Sequence, residues 1–140
     1  MKKGTIFLLL FFFWTLWYSL LLNSKVINSQ NHLIGYWEGE YAGKELTFIF
    51  NEDSSCLITF FDMVSDSIII ISGNYNVIYK KHPMSLNIKN IAELTHPLYT
   101  IIHFLKNDSI KIAKFSPRWR TRPISFDNKS DIILRRIKNN

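Results

Sequence analysis

A chain of 140 residues is sized for one domain, and four prolines and five glycines exclude a collagenous or low-complexity fibre. The formal net charge of +6 is unevenly spread: residues 25–75 carry two lysines against seven acids, −5, whereas residues 76–140 carry eight lysines and five arginines against four acids, +9. A single cysteine, Cys56, excludes an internal disulfide, and its apolar neighbours Leu57 and Ile58 predict a buried, inert thiol.

In chain order, Lys2 and Lys3 precede an uncharged stretch from Gly4 to Ser24. Its apolar run, Thr5 to Leu22, would span about 27 Å as a helix. Ser24 could precede a cleavage, but Leu22 then fills a position that signal processing reserves for a small residue. Residues 1–24 therefore read as a hydrophobic N-terminal helix acting as an uncleaved signal anchor, with a cleaved signal peptide as the alternative. The two leading lysines predict a cytoplasmic N-terminus and a domain outside the cytoplasm, tethered to the membrane. Cleavage would instead leave it secreted or periplasmic. Residues 25–32 read as a polar linker and residues 33–140 as the domain.

The domain reads as strand, turn, strand. Leu46, Phe48 and Phe50 alternate with Thr47 and Ile49, and residues 51–55 form a turn. Leu57, Thr59 and Phe61 follow, then a polar turn from Asp62 to Asp66. Ile68 to Ile71 is a β-branched strand, broken at Ser72, Gly73 and Asn74 and resumed from Tyr75 to Tyr79. Leu86 and Ile88 mark the next strand. Tyr99 to Leu105 and Ile110 to Phe115 flank a hairpin turn at residues 106–109, and Ile132 to Ile137 closes the chain. Period-two alternation with turns every 8–12 residues predicts an all-β antiparallel barrel or sandwich, here a meander of seven to nine strands.

Candidate chemistry is sparse. His32, His82, His96 and His103 lack metal-ligand spacing, and no phosphate loop or nucleophile motif implies a cofactor. Glu38 and Glu40 share a strand face near Glu45, which suits a solvated surface better than a paired-carboxylate site. The proline-bounded run from Ser116 to Pro123 is the most unusual segment. Extended, it would project Arg118, Arg120 and Arg122 to one side and Trp119 to the other, a geometry suited to clamping phosphate or carboxylate. The bland reading is a solvated loop with Trp119 plugging the core. The charge asymmetry likewise allows either a solvated surface whose strands mix the two halves or a basic face for lipid headgroups or an acidic ligand. Export removes nucleic acid as a partner.

The run from Leu33 to Tyr41, with Gly35 and Trp37 in a Gly-x-Trp pattern, resembles the opening of small bacterial lipocalin-like (calycin) barrels. Residues 44–53, the hairpin around residues 104–112, the Arg122-Pro-x-x-Phe126 element and the basic strand from Ile133 to Ile137 extend the resemblance over residues 33–138. It implies an up-and-down barrel with Trp37 plugging one end and Arg135 or Arg136 packed over the indole. It further implies a non-catalytic module that binds a small apolar ligand, a lipid or a protein. The domain is short for a full lipocalin, so the barrel could be filled, which would suit a structural or interaction protein of the cell envelope. An enzyme is the weakest of the three readings.

Overall fold

The computed structural model describes residues 32–106 and 108–138; the expected leader helix and most of the linker lie outside the described residues. Among the described residues no helix is long and apolar enough to cross a membrane. From Ile34 onward the chain forms one compact unit. It is an antiparallel barrel of eight strands, β1 Gly35–Tyr41, β2 Lys44–Phe50, β3 Ser55–Asp62, β4 Ser67–Ile78, β5 Met84–Lys89, β6 Leu98–Leu105, β7 Ser109–Ile112 and β8 Ile132–Ile137. Each strand pairs with the next, and β1 pairs with β8 to close the barrel.

The inward set follows from the register. Trp37 lies opposite Phe48, Phe48 opposite Ile58, and Ile58 opposite Ile71, so four neighbouring strands send one layer of apolar side chains inward. Leu86, Ile88, Ile102, Ile110, Ile112 and Leu134 complete a fully buried interior. Closure gives every strand a neighbour on both sides, although Ser67–Gly73 of β4 pairs with β3 alone.

Two expected boundaries move. The break expected at Ser72, Gly73 and Asn74 is absent: β4 runs straight through it, its first part pairing with β3 and its second with β5. Gly73 serves close packing rather than a turn, since a Cβ there would stand 2.8 Å from the Lys89 carbonyl oxygen and 3.1 Å from Ile88 Cγ2. At the other boundary, β7 stops at Ile112 instead of continuing to Phe115. Beyond it runs a long strap, residues 113–131, whose first part stays on β6, with the Ala113 N–H donating to the Ile101 carbonyl at 3.1 Å and Ser116 bridging to Tyr99, before the chain leaves the barrel wall.

The meander also decides how the charge is laid out. β1 to β4, from the acidic half, and β5 to β8, from the basic half, form two contiguous walls that meet at the β4–β5 pair and at the β1–β8 seam, where Glu38 lies opposite Arg135. The strands mix the two halves only at those two seams.

Candidate functional site

The closed end is built from β1 and β8. Trp37 is 1% exposed, and the Arg136 guanidinium lies over its ring, 4.1 Å from the centroid. Arg136 and Trp37 are register partners on the inner face, whereas Arg135 pairs with Glu38 on the outer face and is exposed. Arg136 also donates through Nη1 to the Ile34 carbonyl oxygen and stands 3.9 Å from Asp108 Oδ1. Gly35 makes room for this arrangement. Its φ of +134° lies where side chains are strained, and a Cβ would stand 2.6 Å from Arg136 Nη1.

The opposite end holds a cavity of about 320 Å³. Leu46 and Phe48 from β2, Ile58 and Phe60 from β3 and Ile71 from β4 form one side. Leu94, Leu98, Phe115 and Ile132 form the other, and Tyr41 at the tip of β1 stands at the rim, half exposed. The Tyr41 hydroxyl is the only polar side-chain group among these residues. Topology places the mouth with the β1–β2, β3–β4 and β5–β6 connections, away from Trp37. The Glu93 carboxylate accepts from the Ser72 backbone N–H and hydroxyl, both at 3.0 Å, and so ties the loop carrying Leu94 to β4. Those donors hold the Glu93 carboxyl below its ordinary range. Sequence alone left open whether the barrel holds a cavity and singled out none of its lining residues as such; the available signal was the density of Phe and Ile on β2–β4.

The arginine run does not take the extended form expected of it. Residues Trp119–Thr121 form a 3-10 turn, and the three arginines diverge. Arg122 folds onto the outer face of the sheet, donating to the Asn87 side-chain oxygen with its guanidinium 5.3 Å from the Tyr99 ring centroid. Arg120 stacks over Trp119 at 5.4 Å, and Arg118 is exposed. Nor does Trp119 plug the core: it is 64% exposed, on the part of the strap that has left the wall, while Phe115, earlier in the strap, stacks against Phe48 inside.

The remaining candidates lie apart. Glu38, Glu40 and Glu45 are exposed on the outer wall of β1 and β2. His32, His82, His96 and His103 are exposed, with His103 beside the Phe126 ring at 6.3 Å. Among the described residues no three His, Cys, Asp or Glu side chains gather as a metal site. Cys56 is buried, which pushes its thiol up to about 11. Comparison with family models, with curated protein sequences and with solved structures gave no match to this chain.

Proposed function

We propose that the chain is a non-catalytic, extracytoplasmic, membrane-tethered lipocalin-like module that holds a small apolar ligand in the mouth of its barrel. One observation carries the reading: an open cavity of about 320 Å³ lined by apolar side chains, with Tyr41 at its rim. That volume equals roughly ten water molecules and reaches the lower bound of small-molecule sites. Water there would find too few partners, so an apolar guest gains by displacing it. A lining without a carboxylate, imidazole or amine offers no acid–base pair, which favours binding over catalysis. The Gly35-x-Trp37 opening and the Arg136 contact support the lipocalin-like assignment, and the leader's apolar run supports the tether.

The test is photolabelling of the full chain in lipid nanodiscs with a diazirine-bearing decanol. Labelled peptides should contain Leu94, Leu98 or Phe115, and Ile71→Trp, which fills the cavity, should suppress the labelling while thermal melting shows the barrel intact. Labelling spread over the outer wall, unaffected by Ile71→Trp, would refute the ligand-binding reading.

A further inference from the structure

Residues 113–116 of the strap stay paired along β6, the rest cross the outer face of β5, β6 and β7, and the strap is fastened at three points. Ser116 and Tyr99 exchange backbone hydrogen bonds of 2.8 Å, Arg122 donates to Asn87, and Asp131 pairs with Lys111 at 3.1 Å. A further bond within the strap, Ser116 Oγ to Thr121 Oγ1 at 2.6 Å, braces the 3-10 turn. The strap is thus a built surface, and what it turns to solvent is specific in kind. Trp119 and Ile124 are 64% and 87% exposed, two large apolar side chains with no covering element among the described residues. Lys114, Arg118, Arg120 and Lys129 are exposed on the same strap, against the single exposed carboxylate of Asp127, and Arg120 lies against Trp119. The wall beneath belongs to the basic half of the chain, so the charge on the strap is reinforced rather than cancelled.

We propose that this strap is a docking surface for an anionic lipid bilayer, with Trp119 and Ile124 entering the interface and the four cations meeting lipid phosphates. Charge complementarity selects this occupant. Indoles settle at the headgroup level, where one edge is apolar and the other wet, and long basic side chains bury their stems while their heads reach phosphate. Arg120 over the Trp119 ring keeps that pair together as it enters. Phe115 of the strap lines the barrel cavity, but Trp119, Ile124 and the four cations do not, so docking does not depend on what the cavity holds.

The experiment uses the full chain carrying Ile124→Cys, labelled with an environment-sensitive nitrobenzoxadiazole dye. Cys56 is buried and its thiol protonated at neutral pH, so it stays unlabelled. On vesicles of phosphatidylcholine with one-third phosphatidylglycerol, the dye emission should shift to the blue and return in half-molar salt. Arg118→Glu with Arg120→Glu should lower the docked fraction by about tenfold or more. A dye placed by Val64→Cys, in the β3–β4 connection of the acidic half, should keep its aqueous emission. Aqueous emission at position 124 on anionic vesicles overturns the proposal. So does an equal shift on phosphatidylcholine alone, and so does a shift produced only by an acidic polypeptide such as polyglutamate, which would make the partner a protein.

Discussion

Arg136 covers the indole of Trp37 at 4.1 Å while its guanidinium donates to the carbonyl of Ile34, so one side chain closes the barrel end and holds the entering chain. The two residues are register partners across the β1–β8 seam, the last pairing needed for closure. Trp37→Ala should therefore destabilise the domain by about 3–5 kcal/mol in denaturant titration, a large part of the stability of a domain this size. Arg136→Ala should cost about 1–2 kcal/mol. Arg135→Ala, on the exposed face of the same strand, should stay within about 0.5 kcal/mol. Equal costs for the two arginines would contradict the assignment.

Gly35 provides a second probe of the same end. Alanine there meets a strained φ and displaces Arg136 Nη1, so Gly35→Ala should cost about 2–3 kcal/mol. Gly43, in the β1–β2 turn, also has a positive φ of +77°, but nothing stands within 4 Å of its Cβ position. Gly43→Asn should cost well under about 1 kcal/mol, since asparagine tolerates that conformation. Thermal melts of the two variants separate crowding from backbone strain.

How far the chain could be read without coordinates depends on what each element rests on. β2 and β8 were legible because their side chains alternate between core and outside and their turns carry Asn, Asp and Ser, all local properties. Gly73 misled, because a glycine required by a carbonyl across the sheet looks the same in sequence as a glycine required by a turn. The strap misled for a related reason. Alternating arginines between two prolines suggest an extended arm, but a 3-10 turn braced by Ser116 and Thr121 turns Arg122 back to Asn87, 35 residues away in sequence. The cavity depends on how far Leu94 and Phe115 reach over the mouth, which no periodicity encodes. The separation of acidic and basic walls needed only strand order, and became visible once the meander was known.

Burial also sets an alkaline limit. The Cys56 thiol ionises at about 11 in the fold against an ordinary value of 9.0, and burial likewise pushes Tyr79 up to about 12. Between each group's ordinary value and its raised one the unfolded chain releases a proton that the folded chain retains, so stability falls as pH rises. For Cys56 the loss begins near 9 and is complete just above about 11, amounting to about 1–2 kcal/mol. Urea titrations from pH 8 to 11 should show this decline, and Cys56→Ala should flatten its lower part. A thiol reagent at pH 8 should react with Cys56 only after unfolding.

The strap's attachment yields the last prediction. Asp131 has a side chain only 2% exposed, and the ammonium of Lys111 lies 3.1 Å from its carboxylate. Lys111 itself is held in place from two further sides, donating to the Asn128 oxygen at 2.9 Å and lying 5.3 Å from the centre of the Phe126 ring. Lys111→Met keeps the stem that packs there but removes the charge, leaving a carboxylate in a site closed to water. Breaking a buried pair in this way costs about 3–5 kcal/mol, far more than an exposed pair would. Lys138 and Asp108 supply the exposed comparison: their ion pair is 3.2 Å long, but both side chains are at least half exposed, so Lys138→Met should cost under about 1 kcal/mol. Adding Asp131→Asn to Lys111→Met should recover most of the loss, because the uncompensated charge is gone although the pair is still missing. Amide exchange should locate the damage, with protection falling in residues 113–131 of Lys111→Met and remaining high at Trp37 and Phe48 in the core. Uniform loss of protection through the whole barrel would mean that the pair supports the fold as a unit rather than fastening the strap.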